Sequence, residues 1–148
     1  MSQNPEANSG PAGRAVWSAG RSVVLVKSKV EIPTGHIHHT ANGERTYLVL
    51  RHMSVRHAPG TIFQVYMKGA TGREALVGSI NFFNLERTID SVPGERPGSL
   101  RQFDVTDITS KLSGKLIISI RATQPPEANS EATIGQIDLI VARTSTLP

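Results

Sequence analysis

An all-β domain, an antiparallel β-sandwich or jelly-roll-like barrel of about seven strands with one short helix, is the fold class this sequence predicts. Three observations carry it. Short segments alternate apolar and polar residues at the strand period of two. Thirteen glycines and nine prolines in 148 residues break the chain too often for long helices. Only one stretch has apolar residues one helical turn apart with a glycine to stop it. A chain of this length, 38% hydrophobic and 19% charged, suits one domain with a single core.

Residues 1–14 are rich in Ser, Asn, Pro, Gly and Glu and offer little to bury, so they are expected to form a flexible lead or linker, with one domain over 15–148. From Ser22 to Ile32 an apolar run passes into alternation, Val26 and Val30 against Lys27, Lys29 and Glu31. This predicts a strand that Pro33 ends. Over 46–55, Leu48, Leu50 and His52 share one face, while Tyr47, Val49 and Arg51 form the other and Met53 and Val55 extend it. Both faces begin largely apolar, which predicts a central strand.

Ala58, Pro59 and Gly60 predict a turn, and the next strand places Phe63, Val65 and Met67 opposite Gln64 and Tyr66. A strand follows over 75–83. Residues 84–100, with Pro93, Gly94, Pro97 and Gly98, form the longest expected loop. In FDVTDITSKLSG, Asp104 or Thr106 can cap a short helix that carries Ile108 and Leu112 and ends at Gly114. The last two strands set Leu116, Ile118 and Ile120 against Ile117 and Ser119, and Ile134, Gln136, Asp138 and Ile140 against Ile137, Leu139 and Val141. The pentapeptide PEANS occurs at 5–9 and 126–130, both times in polar context, and no longer repeat follows.

With no cysteine, a disulfide framework and a thiolate metal site are both excluded. The N-terminus lacks a basic stretch followed by an apolar one, and no run nears the about 18 apolar residues a spanning helix needs. The expectation is a soluble chain, cytoplasmic as written, with no membrane partner. Net charge is +4, but its lysines and arginines are scattered singly and not interleaved with aromatics, so specific nucleic-acid binding is not expected.

Five histidines include GHIHH at 35–39, where an extended chain puts His36 and His38 on one side and His39 on the other. Two imidazoles at that spacing can hold a copper or zinc ion weakly. A polar turn explains the same residues, as strand and turn positions explain His52 and His57. Asp104 and Asp107 suit helix capping better than acid–base chemistry. No nucleophile elbow and no phosphate loop is present.

The ordered segments carry a resemblance. The stretch from Val49 and Leu50 to Val55, the strand Phe63 to Tyr66, the V-G-S-I-N-F-F run Val77 to Phe83, the F-D-V-T-D run Phe103 to Asp107 and the I-G-Q-I-D-L run Ile134 to Leu139 follow one another as in the β-rich C-terminal domain of tyrosinases and plant-type polyphenol oxidases. The likeness spans roughly 15–142. It implies a β-sandwich whose role is to pack over a dicopper oxidase domain, in the same or a separate chain, with an apolar side chain placed over the copper pair. Phe82, Phe83 and Leu85, leading into the 84–100 loop, are the candidates for that plug, with core packing as the alternative. A dicopper centre needs six imidazoles held mainly on helices, so this chain is expected to be no oxidase itself and to have no intrinsic cofactor. The competing expectations are a self-standing interaction or assembly subunit, self-association included, and a copper-delivery partner using His36, His38 and His39.

Overall fold

The computed structural model describes residues 13–37, 43–57, 59–82, 100–112 and 115–143. They form nine strands and one helix: β1 (Arg14–Ser18), β2 (Val23–Leu25), β3 (Lys29–His36), β4 (Glu44–His57), β5 (Phe63–Lys68), β6 (Glu74–Ile80), β7 (Arg101–Asp104), α1 (Thr106–Lys111), β8 (Lys115–Ala122) and β9 (Glu131–Arg143). All pairings are antiparallel. One sheet runs β1-β9-β4-β7, with β2 also paired to β9, and the other runs β3-β8-β5-β6. The expected all-β sandwich with one short helix is what the described residues build.

The core lies between the sheets. Leu48, Leu50, Ile137 and Leu139 from the first sheet meet Phe63, Val65, Met67, Ile118 and Ile120 from the second, all at most 1% exposed. The alternation in β5 and β8 holds as the sequence predicts. In β4 and β9 it does not. Met53 and Val55 lie in the same core as Leu48 and Leu50, and Ile134 in the same core as Ile137 and Leu139. Both strands therefore change phase at one place.

The cause is local backbone. His52 has φ 54, the left-handed region that costs most residues strain but that His enters more readily than most. Facing it across the ladder is Gly135, where a Cβ would lie 2.7 Å from the His52 Cβ. A left-handed residue opposite a glycine turns both strands over together, so each half keeps its apolar set inward. His52 is consequently exposed, not in the Leu48 and Leu50 row, and His57 is exposed as well.

Two strand boundaries differ from expectation. The segment 22–32 is not one strand: β2 pairs with β9 in the first sheet, and β3 pairs with β8 in the second. Pro33 does not end β3. It lies within an edge strand, where a missing N–H is tolerated, beside an irregularity between Pro33 and Gly35. Arg14, the last residue of the expected lead, opens β1.

Helix α1 follows β7 with Val105, not Asp104 or Thr106, at its N-cap and no side-chain hydrogen bond from that residue. Asp104 still serves the helix start. Its Oδ1 accepts from the Thr106 N–H at 3.0 Å and from the Thr106 hydroxyl at 2.7 Å, while Oδ2 accepts from Arg45 Nε at 2.6 Å. Burial pushes the Asp104 carboxyl up, but the bonds from Arg45 and Thr106 together hold it below the usual carboxylate range.

Beside Asp104 on the same strand, Phe103 of β7 faces Gly78 of β6. A Cβ there would sit 2.5 Å from the Phe103 ring, so only glycine lets the aromatic ring lie on the β6 backbone. Gly78→Ala is expected to destabilise by about 1–3 kcal/mol through overpacking. Phe103→Leu in the same chain should recover part of that loss in urea denaturation, and no recovery would mean that the ring is not the obstacle.

Candidate functional site

The outward side of the first sheet holds a buried polar group that alternation alone would leave in solvent. Asp138 of β9 is 2% exposed. Its neighbours are Val49 directly across the ladder on β4 and Ser18 on β1. The carboxylate accepts from the Ser18 hydroxyl at 2.5 Å, from Arg51 Nη1 at 2.7 Å and from Gln136 Nε2 at 3.0 Å. Three donors from β1, β4 and β9 occupy its lone pairs, so the group works as a tie among strands and not as a base open to a substrate.

The outward side of the second sheet carries a more open array. Arg121 stacks 4.2 Å over the Tyr66 ring and grips Glu74 through two nitrogens at 2.6 and 3.1 Å, and Lys68 meets Glu31 at 3.1 Å. The hydrogen bond from Arg121 holds the Glu74 carboxyl below its ordinary value, and the one from Lys68 does so for Glu31. These partners are solvent-accessible and mutually satisfied, and exposed pairs of this kind contribute about 0–1 kcal/mol each.

A third feature lies along the open side of the sandwich, where β1 and β2 of one sheet overhang β3 of the other. A cleft of about 420 Å³ runs there, lined by residues 17–24, from Trp17 through the connection into β2, and by Val30, Glu31, Ile32 and Pro33 of β3. Trp17, half-buried, reaches the core from one wall, and Val30 and Ile32 do so from the other. Among the described residues, exposed large apolar side chains concentrate beside it: Val16, Val24 and Val26 are 39, 43 and 50% exposed. A concave wall of mixed polar and apolar lining next to exposed valines is the geometry of a candidate binding site.

The residues singled out from the sequence fare differently. His36 is exposed at the end of β3, paired across the ladder with Lys115, whose positive charge disfavours a metal ion nearby. His38 and His39 lie outside the described residues, and no group of three possible metal ligands occurs among the described ones. Phe82 is 1% exposed and packs edge-on against Phe63 with ring centres 5.9 Å apart. It is a core residue and is not presented to a partner. Phe83, Leu85 and most of the 84–100 loop lie outside the described residues. No helix among the described residues is long and apolar enough to cross a membrane.

Sequence reasoning missed the Asp138 tie and the cleft. An aspartate inside an apolar central strand signals a buried partner, and Arg51 on the neighbouring strand is the natural one. The sole tryptophan, at 17, lies in the stretch just after the polar lead, where the pattern before Ser22 is too short to read as a strand. No protein-family model matches the chain, and a search of curated proteins returns no match.

Proposed function

We propose that this chain is a non-catalytic accessory domain, similar to the C-terminal domain of tyrosinases and polyphenol oxidases, that covers or stabilises a dicopper oxidase domain in the same or a separate chain. The observation that carries the reading is how the resembling segments meet. The V-G-S segment accepts the phenylalanine of the F-D-V-T-D segment at Gly78 and Phe103, and Phe82 packs on Phe63 of the F-Q-V-Y strand. Segments far apart in sequence thus pack on one another within one sandwich, which is consistent with the fold that the resemblance implies. Five histidines, one fewer than a dicopper centre needs, fit a role beside the oxidase chemistry.

Added domain should lower the phenol-oxidising rate of a six-histidine catalytic domain from the same source. Phe83→Ala or Leu85→Ala should relieve that inhibition with the denaturation midpoint unchanged, whereas Phe82→Ala should lower the midpoint, because its ring is in the core. Failure to bind or inhibit would overturn the accessory reading. A separate alternative is a copper-delivery partner that holds a cupric ion weakly through His36, His38 and His39, and calorimetry should then show its uptake abolished in a His36→Ala, His38→Ala variant.

A second reading, a self-standing interaction subunit, is favoured by the apolar edge at Val16, Val24 and Val26. In that case the working surface is the β1 and β2 side of the sandwich.

A further inference from the structure

The β1 and β2 edge has a chemistry that specifies an occupant. Both strands pair with β9 on one side, and among the described residues no strand lies on the other. Edges left in this state bind further strands unless something blocks them. The neighbouring edge, β3, is blocked: it contains Pro33, an irregularity and the alternating charges Lys29 and Glu31. By contrast, the A-V-W-S and V-V-L strands carry no charge between Arg14 and Leu25 on the strands themselves.

Charge surrounds them instead: Glu31 and Glu44 are both taken up in ion pairs, and the cations outnumber them. From residue 14 to residue 29 the ionisable side chains are Arg14, Arg21, Lys27 and Lys29, with no carboxylate among them. Arg14 meets Glu44 at 3.4 Å and Lys29 meets Glu31 at 3.7 Å. Arg21 and Lys27 are exposed and form no ion pair with a described residue. A second copy of this edge would set these cations against their equals, and like charges facing each other across an interface are costly. The same cations attract carboxylates.

We infer that the β1 and β2 edge is a strand-addition site for an extended acidic peptide that alternates carboxylates with apolar side chains. Main-chain hydrogen bonds to this edge, which no described strand pairs, supply binding, as in other strand-addition modes. The apolar side chains, all on one face of the added strand, enter the cleft beside Trp17 and Val24, and the carboxylates reach Arg21 at its rim and Lys27 beyond β2. The site stands apart from the oxidase reading, because it uses neither the 84–100 loop nor Phe83 and Leu85.

Trp17 is the only tryptophan, so its fluorescence reports on the cleft directly. The probe is a peptide of about ten residues alternating glutamate and valine, long enough to pair with both strands. It should shift Trp17 emission saturably, slow amide exchange within 14–18 and 23–25, and bind more weakly as salt rises. An Arg21→Glu, Lys27→Glu variant should lose about tenfold or more in affinity, since both charge contacts become repulsive. An Arg73→Glu, Lys111→Glu variant with the same net change, placed elsewhere, should bind as the parent does. The proposal is overturned by no response at about 1 mM peptide, a concentration at which even feeble binding registers. Equal binding of a lysine–valine peptide, unchanged affinity in the Arg21 and Lys27 variant, or exchange protection on β6 or β7 would overturn it equally. Sedimentation showing a dimer that Val24→Lys dissolves would make a second copy the occupant, against the proposal.

Discussion

Leu139→Ala, Leu50→Ala and Ile118→Ala should each lower the unfolding free energy by about 2–5 kcal/mol, because each leaves a cavity in a core that relaxes only in part. All three side chains are fully buried in one core, the first two on the adjacent central strands β9 and β4 and Ile118 on the second sheet. The loss is a large fraction of what a domain of this size has to lose. Arg73→Ala, at an exposed turn, should move stability by no more than about 0.5 kcal/mol. Urea denaturation separates the two classes by midpoint, and equal midpoints would mean that the inward faces are wrongly assigned. Met53→Ala tests the phase change specifically. If His52 and Gly135 turn the strand over, Met53 should behave as a core residue; if alternation ran straight through, it would behave as a surface one.

That phase change marks the boundary of what the sequence discloses. Period-two alternation reads β5 and β8 correctly because each residue there follows its neighbour in ordinary extended backbone. It fails in β4 because the reversal comes from one left-handed residue, and nothing in the composition around His52 announces a positive φ. The opposing Gly135 was visible, but its meaning depends on pairing with a residue 83 positions away. The same limit explains β2 and β3. An apolar run that passes into alternation looks like one strand, and only the competition of two sheets for Leu25 and Val30 divides it. The candidate site was less legible than the fold. A cleft between sheet edges is made by two segments that each read as an ordinary short strand, and among the described residues the resembling motifs contribute chiefly to the sandwich core.

Arg51→Met should destabilise more than Asp138→Ala, with costs of about 3–5 kcal/mol for the first, the range found when one member of a buried ion pair is removed. The asymmetry follows from exposure. Without Arg51 the Asp138 carboxylate, whose side chain is 3% exposed, keeps only the neutral Ser18 and Gln136 donors and cannot reach water. Without Asp138 the Arg51 side chain is already 18% exposed, and its length lets the guanidinium move outward. Removing both charges separates the worth of the pair from the penalty of an orphan. An Arg51→Met, Asp138→Leu variant should return to within about 1 kcal/mol of the parent, because apolar replacement of a buried pair is often neutral or stabilising. If the double variant is instead as unstable as the sum of the singles, the pair contributes net stability and the tie among β1, β4 and β9 is energetic in its own right. If Asp138→Ala proves the costlier single change, the carboxylate, and not the guanidinium, is the member that the sheet cannot do without.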